Sequence, residues 1–190
     1  MVTSHIERLV RHVAEHRPRI ESDPNLIEAA VALVLSPGPD AILLIRRAER
    51  AEDPWSGQMG LPGGRRGPED LDLRATAVRE TREEVGVDLT AGRLIGALDD
   101  LAPRTPVLPP VKVRPYVFLL AERQAPIPNG EVAAASWVPL ADLLTPGAYG
   151  HYEVEARGVR FERPGYQVSD GLVWGMTERI LTPVLAVLGE

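Results

Sequence analysis

Glu80, Glu83 and Glu84 fall at i, i+3 and i+4, so in a helix their three carboxylates crowd one face. Val78, Thr81 and Val85 fall at i, i+3 and i+7, on a stripe roughly 140° away at about 100° per residue. One face can therefore pack into a core while the other concentrates negative charge. Hard oxygen donors of this kind favour magnesium or manganese over zinc. Three glutamates on a solvated helix are ordinary by themselves, because like-charge pairs at this spacing cost only ~0.2–0.5 kcal/mol each. The upstream Leu61-Pro62-Gly63-Gly64 raises the cluster above that reading. Paired glycines let the backbone turn sharply and approach a ligand closely, with carbonyls free to coordinate a cation. With Gly86 as a helix C′ residue, the stretch reads as loop, charged helix and loop.

Residues 63–87 resemble the Nudix hydrolase box, G-x(5)-E-x(7)-R-E-U-x-E-E-x-G-U with U a bulky aliphatic residue. Gly64 matches the first glycine, and Arg79 to Val87 match the second half except at Thr81, which is β-branched and can still pack. The spacing between Gly64 and Arg79 is one residue longer than the pattern, so Asp70 or Asp72 must stand in for the first glutamate, a structural role. The resemblance implies an α/β/α sandwich with a mixed β-sheet. It also implies hydrolysis of a nucleoside diphosphate linked to another moiety.

Clustered carboxylates hold divalent ions, which neutralise pyrophosphate oxygens and lower the pKa of bound water. Attack on a phosphoanhydride then needs mainly positioning and charge stabilisation. Glu80 and Glu84, one turn apart, are the preferred ligands for Mg2+ or Mn2+, with the Gly63 or Gly64 carbonyl as a third donor. Glu83 is directed into the same space, to bind a second ion or orient water, and Arg79 can pair with it at i+4. In the family the matching arginine orients a catalytic glutamate, so the resemblance puts Glu83, Glu84 and Arg79 in the catalytic set. Glu131 sits where many Nudix proteins carry a loop acid; it is a candidate ligand or base, with a structural loop role as the alternative.

A polyanionic substrate also needs local positive charge. Arg46, Arg47, Arg50, Arg65, Arg66, Arg104, Lys112 and Arg114 lie near these residues in sequence, and Arg47 and Arg65 are the favoured phosphate contacts. Trp55 is a candidate for stacking on a base, whereas Tyr116 reads better as core. The prolines at 103, 106, 109, 110 and 115 stiffen a segment suited to a substrate wall. The four histidines show no ligand spacing.

Leu43 to Ala48, Gly57-Gln58, Leu98-Asp99-Asp100 and Val173 to Thr177 are similar to the coenzyme A pyrophosphatase branch of the family. Two departures bear on that branch. The loop Glu52-Asp53-Pro54-Trp55-Ser56 is one residue longer than usual and lacks a histidine, and Leu61 replaces the customary phenylalanine. Coenzyme A is therefore one substrate reading. ADP-ribose, dinucleotides, nucleoside triphosphates and a non-catalytic metabolite-binding module are the alternatives.

The elements that must position these groups follow from periodicity. Ile6, Leu9, Val10 and Val13 predict an amphipathic helix, within an N-terminal extension over 1–25. Residues 28–35 and 41–45 read as paired buried strands, and the charged helix spans 71–85. Further strands are expected at 93–98, 113–121 and 132–138, with a hairpin turning at Arg157-Gly158. A last helix is expected from Asp170 to Leu188, so that 146–190 forms a C-terminal hairpin and helix. The whole predicts one α+β domain over 1–190.

Composition bounds the reading. A hydrophobic content of 44% in 190 residues suits a substantial core, and no apolar run approaches the ~18 residues of a membrane span. Zero cysteines exclude disulfides and thiol-ligated metals and fit a cytoplasmic protein. A formal charge of −6 argues against a general nucleic-acid binder. The expected partner is a small nucleoside diphosphate derivative, with a homodimer left open.

Overall fold

Strand β1 (Ile27–Ser36) alternates between two cores. Ala30, Ala32 and Val34 face one cluster and Leu33 and Leu35 the other, all at most 1% exposed. A strand buried on both faces reads as a continuous apolar run, which is why EAAVALVL is so uniform. The computed structural model describes residues 4–51, 55–103, 109–156 and 158–188. Glu52-Asp53-Pro54, Arg104, Pro106 and Arg157 lie outside the described residues.

β1 pairs in parallel with β6 (Val111–Leu119) over its whole length. Its other edge is divided between two antiparallel partners, β2 (Ala41–Arg47) at Leu35-Ser36 and β4 (Gly63–Arg65) at Ala29 to Val31. β2 continues the sheet through β3 (Met59–Gly60) and β7 (Val132–Pro139), and β5 (Arg93–Ala97) pairs with β6. The result is a mixed seven-stranded sheet.

Helix α2 (Leu73–Val85) covers one face, with Ala77 and Val85 in the cluster that holds Ala30, Ala32, Val34, Leu43 and Ile45. Helix α1 (His5–Glu15) and helix α4 (Met176–Ala186) cover the other, bringing Leu9, Val13, Ile180 and Leu181 against Leu33, Leu35, Ile42 and Leu44. The architecture is the expected α/β/α sandwich. Between β7 and the C-terminal strands lies the short helix α3 (Leu140–Leu144).

The catalytic-type helix starts later than its periodicity suggests. Asp72 caps it by accepting from the Ala75 N–H at 2.7 Å, so Leu71 stays outside and 91% exposed. Gly86, left-handed at φ 67°, ends it.

The expected helix from Asp170 to Leu188 needs correction. Gly171–Trp174 is a strand, β10, which pairs with β9 (Val159–Val168); β9 in turn pairs with β8 (Tyr149–Ala156). Gly175, at φ 69°, separates β10 from α4. Leu172 and Val173 suited either period, and the edge offered by β9 decided the outcome.

The Gly63-Gly64 turn is dictated by this sheet. A Cβ on Gly63, whose φ is 151°, would overlap the Ala30 carbonyl oxygen and the Val31 Cα. Gly63→Ala should therefore displace β4 from β1 and cost at least about 3 kcal/mol in chemical denaturation. Gly130→Ala meets nothing within 4 Å and should stay within about 0.5 kcal/mol of the parent. Equal stability of the two variants would contradict this account of the turn.

Candidate active site

Seating Gly63 on β1 aims its N–H at helix α2, where it donates to Glu84 Oε2 at 2.9 Å. Glu84 is only 3% exposed. Burial pushes its carboxyl up to about 7, against the opposing pull of the Gly63 N–H and the Arg47 guanidinium. One turn earlier, Glu80 lies against Gly64 so closely that a Cβ there would be 2.6 Å from both carboxylate oxygens. Burial raises Glu80 as well, with Arg79 opposing. Gly64 thus leaves room for Glu80, and Gly63 orients Glu84.

Arg79 organises the other flank. Its Nε and Nη2 fork onto the two oxygens of Asp70, each at 2.9 Å. Nη2 also donates to the Arg65 carbonyl at 3.1 Å, and Nη1 lies 2.9 Å from both Glu80 Oε1 and Glu83 Oε2. Asp70, 8% exposed, also accepts from the Gly67 N–H and the Thr76 hydroxyl. The Arg79 fork leads these contacts in holding Asp70 far below the usual carboxylate range. Of the two acids considered for the first glutamate of the motif, Asp70 takes this buried position and Asp72 caps the helix.

A cavity of about 490 Å3 opens above the turn. Glu80, Glu84, Glu131, Gly64, Arg47, Arg65 and Trp55 all line it. Glu83 and Arg79 do not; they line a separate groove on the outer side of α2. Glu83 nonetheless meets Glu80 at one nitrogen, Arg79 Nη1, 2.9 Å from each carboxylate. Glu83 is 56% exposed and held outward by Arg79, and the third acid of the cavity is Glu131.

Arg47 enters the cavity at a β-bulge between Arg46 and Arg47, a device that re-aims a side chain. Its Nη1 lies 3.9 Å from Glu84 Oε1. Arg65 has no side-chain partner among the described residues. Arg50 clamps the loop of Glu131 through Gly130 O at 3.3 Å and Glu131 Oε1 at 3.4 Å, and its N–H donates to Ser56. Of the other basic candidates, Arg66 and Lys112 are committed to Glu28 and Arg114 to Asp100, while Arg46 is exposed and lines a separate hollow. Tyr116 packs on the core, as its sequence context suggested.

The far wall is apolar. Val111, Val113 and Ala29 pack with Trp55 and Met176, and Gln58 and Thr177 add polar groups. Trp55 was the expected stacking candidate, but periodicity did not assign Ala29, Val111, Val113 or Met176 to a site, because they come from distant segments. The resemblances at Gly57-Gln58 and around Val173 to Thr177 had pointed to Gln58, Met176 and Thr177.

The donor set fits a magnesium-type ion. Among the described residues no three acidic or histidine side chains form a complete cage. Such an ion needs only one or two carboxylates, with water and phosphate oxygens completing its shell. Glu84, buried, and Glu80, half-buried, lie beside a turn of backbone carbonyls, and burial raises both carboxyls, the setting that such an ion would complete.

Known proteins share this arrangement of elements. The family model of the NUDIX domain matches residues 26–157. An uncharacterized Nudix hydrolase NudL from Photorhabdus laumondii is 33% identical over 165 residues, 86% of each chain. The NudL protein of Cronobacter sakazakii is 29% identical, covering 97% of this chain and 95% of its own. An uncharacterized Schizosaccharomyces pombe protein is 38% identical over 120 residues; the match takes in 60% of this chain and 36% of that longer one. Among solved structures, a MutT/nudix family protein from Enterococcus faecalis superposes with a TM-score of 0.54 at 18% identity, over 99% of this chain and 76% of that one. A C. elegans Ap4A hydrolase gives 0.52 at 19% identity, over 62% and 82%. At these identities the structures speak for the fold alone.

Asp70→Asn removes the charge that the Arg79 fork answers, and should cost about 2–3 kcal/mol at neutral pH. Because the folded state lowers Asp70 below its unfolded value of about 3.9, its contribution is complete above that value and fades as pH falls through the folded pKa. Urea unfolding of both proteins should show a stability gap that shrinks between about pH 5 and pH 2. A gap independent of pH would contradict the assignment.

Proposed function

The chain belongs to the Nudix family of pyrophosphohydrolases, and from that premise we propose that it is a divalent-metal-dependent hydrolase of nucleoside diphosphate derivatives, with coenzyme A as its substrate. The observation that carries the hydrolase reading is the pair of carboxylates, half-buried Glu80 and buried Glu84, set on the Gly63-Gly64 turn inside a cavity that also holds Arg47 and Arg65.

Glu80, Glu84 and a carbonyl of the glycine turn would hold the ion, Mg2+ or Mn2+. That ion supplies charge neutralisation at the pyrophosphate and an acidified water. Arg79 fixes Glu80 in place from behind, while its own charge is spent on Asp70 and Glu83. Glu131 lines the cavity as the further ligand or base, and Glu83, paired with Arg79, would bind a second ion or orient water. Arg65, at the exposed rim, and Arg47, inside, bind phosphate oxygens. The apolar wall with Trp55 and Met176 receives the uncharged part of the substrate. A binding module without catalysis would not need the acidic helix intact, and Glu80, Glu83 and Glu84 are all present.

Coenzyme A is supported by the sequence likeness of residues 43–48, 57–64 and 173–177 to that branch. Its cleavage at the pyrophosphate gives 3′,5′-ADP and 4′-phosphopantetheine. The 3′-phosphate is a dianion, and the partner for it is Arg65.

Glu84→Gln keeps the shape and the acceptor for the Gly63 N–H but removes a charged ligand. Its turnover should fall by a factor on the order of 10² or more, while its thermal stability in EDTA should equal or exceed that of the parent. Retained turnover, or full activity of the parent in excess EDTA, would end the metal-hydrolase reading. For the substrate, coenzyme A should outcompete its 3′-dephospho form by about tenfold to a hundredfold, and Arg65→Ala should erase the difference. Mass spectrometry of products in a mixture with ADP-ribose decides the matter. Faster consumption of ADP-ribose, with no effect of the 3′-phosphate, would overturn the coenzyme A assignment and leave the hydrolase assignment standing.

A further inference from the structure

The three carboxylates that line the cavity each face an arginine: Glu80 faces Arg79, Glu131 faces Arg50 and Glu84 faces Arg47. The pairs are not alike. Arg79 and Arg50 are absent from the cavity lining, so their carboxylates can meet a ligand on the cavity side. Arg47 itself lines the cavity, at the register shift where β7 carries one extra residue opposite Arg46 and Arg47. Glu84 has one oxygen, Oε2, engaged by the Gly63 N–H, and the remaining oxygen, Oε1, is the one that Arg47 Nη1 faces at 3.9 Å. A cation held by Oε1 and the Arg47 guanidinium would therefore share one acceptor in a buried setting, where like charges repel strongly.

We propose that Arg47 is the resident counter-charge of Glu84 and is exchanged from that carboxylate onto the substrate's phosphate when a divalent ion binds, which couples ion binding and anion binding through one side chain. The inference rests on the reading of Glu84 as an ion ligand. Without an anion, Arg47 competes with the ion for Oε1 and weakens its binding. With a phosphate present, the guanidinium has a better partner, and the competition becomes cooperation. Such coupling is reciprocal: the ion must tighten anion binding by the factor by which the anion tightens ion binding.

Calorimetric titration of Mn2+ into the full-length protein tests this, alone and with saturating imidodiphosphate as the anion. Arg47→Met should bind Mn2+ alone about tenfold more tightly than the parent, the order expected for a partly exposed charge at this separation. With imidodiphosphate that advantage should vanish or reverse, and Arg47→Lys, which keeps the charge, should stay near the parent throughout. Retained thermal unfolding cooperativity in Arg47→Met and Arg47→Lys shows that both are folded. Unchanged or weaker Mn2+ binding by Arg47→Met would overturn the exchange. Glu84→Gln separates the two levels: loss of Mn2+ affinity there, with no change in Arg47→Met, rejects the exchange alone. Full Mn2+ affinity in Glu84→Gln rejects the ligand reading beneath it.

Discussion

The fork between Arg79 and Asp70 is the interaction on which the rest of the site depends. It joins a loop with no regular structure of its own, residues 66–72, to the middle of helix α2. Through the Arg65 carbonyl it also reaches the end of β4, and through Nη1 it reaches Glu80 and Glu83. Each guanidinium nitrogen has an oxygen within 3.1 Å. Because guanidinium geometry is planar and rigid, fixing Asp70 on one side fixes Glu80 on the other. A lysine in this position would neutralise charge without transmitting orientation.

That constraint explains how the motif tolerates its one-residue expansion. The family spacing offers a glutamate where this chain has a longer loop, and the shorter Asp70 reaches Arg79 from one residue further along the chain. Thr76 and the Gly67 N–H saturate what remains of its oxygens. The substitution at Thr81 is absorbed as simply: it is fully buried, and its hydroxyl donates to the Ala77 carbonyl within the helix. Both departures lie where packing and hydrogen bonding could compensate, away from the cavity.

Much of the fold was legible because its strands are buried on both faces or alternate cleanly, and because Asp72 and Gly86 punctuate the charged helix. The two short strands at Met59-Gly60 and Gly63 to Arg65 were not legible. Gly-rich segments carry no periodicity, and their strand character comes entirely from pairing with β1 and β2. The site was legible where adjacent residues in one helix supply it, as with Glu80 and Glu84. At Glu83 the spacing left the direction open, because i, i+3 and i+4 define a broad face; Arg79 Nη1 holds Glu83 and Glu80 together, and Glu83 is the more exposed of the two. The arginines were the hardest to read. Their number suggested a phosphate-binding surface, yet Arg66 and Arg114 are held by acids elsewhere in the fold, leaving Arg47 and Arg65 as the cavity's cations among the described residues.

The cavity combines two kinds of construction. Its catalytic floor is contiguous in sequence, running from the glycine turn to the end of α2, and a rigid network of hydrogen bonds holds it. Its walls come from Trp55, from Val111 and Val113 on β6, from Glu131 and from the first turn of α4. These segments meet only because β1 lies between β4 and β6 and because Gly175 turns the chain out of β10 into α4. The floor can therefore stay constant while each wall changes independently, so the chemistry is written in one motif and the substrate is not. The shape of those walls is set by the distances between side chains far apart in the chain. Of the segment Val173 to Thr177, Met176 and Thr177 reach the cavity and the others serve to bring them there.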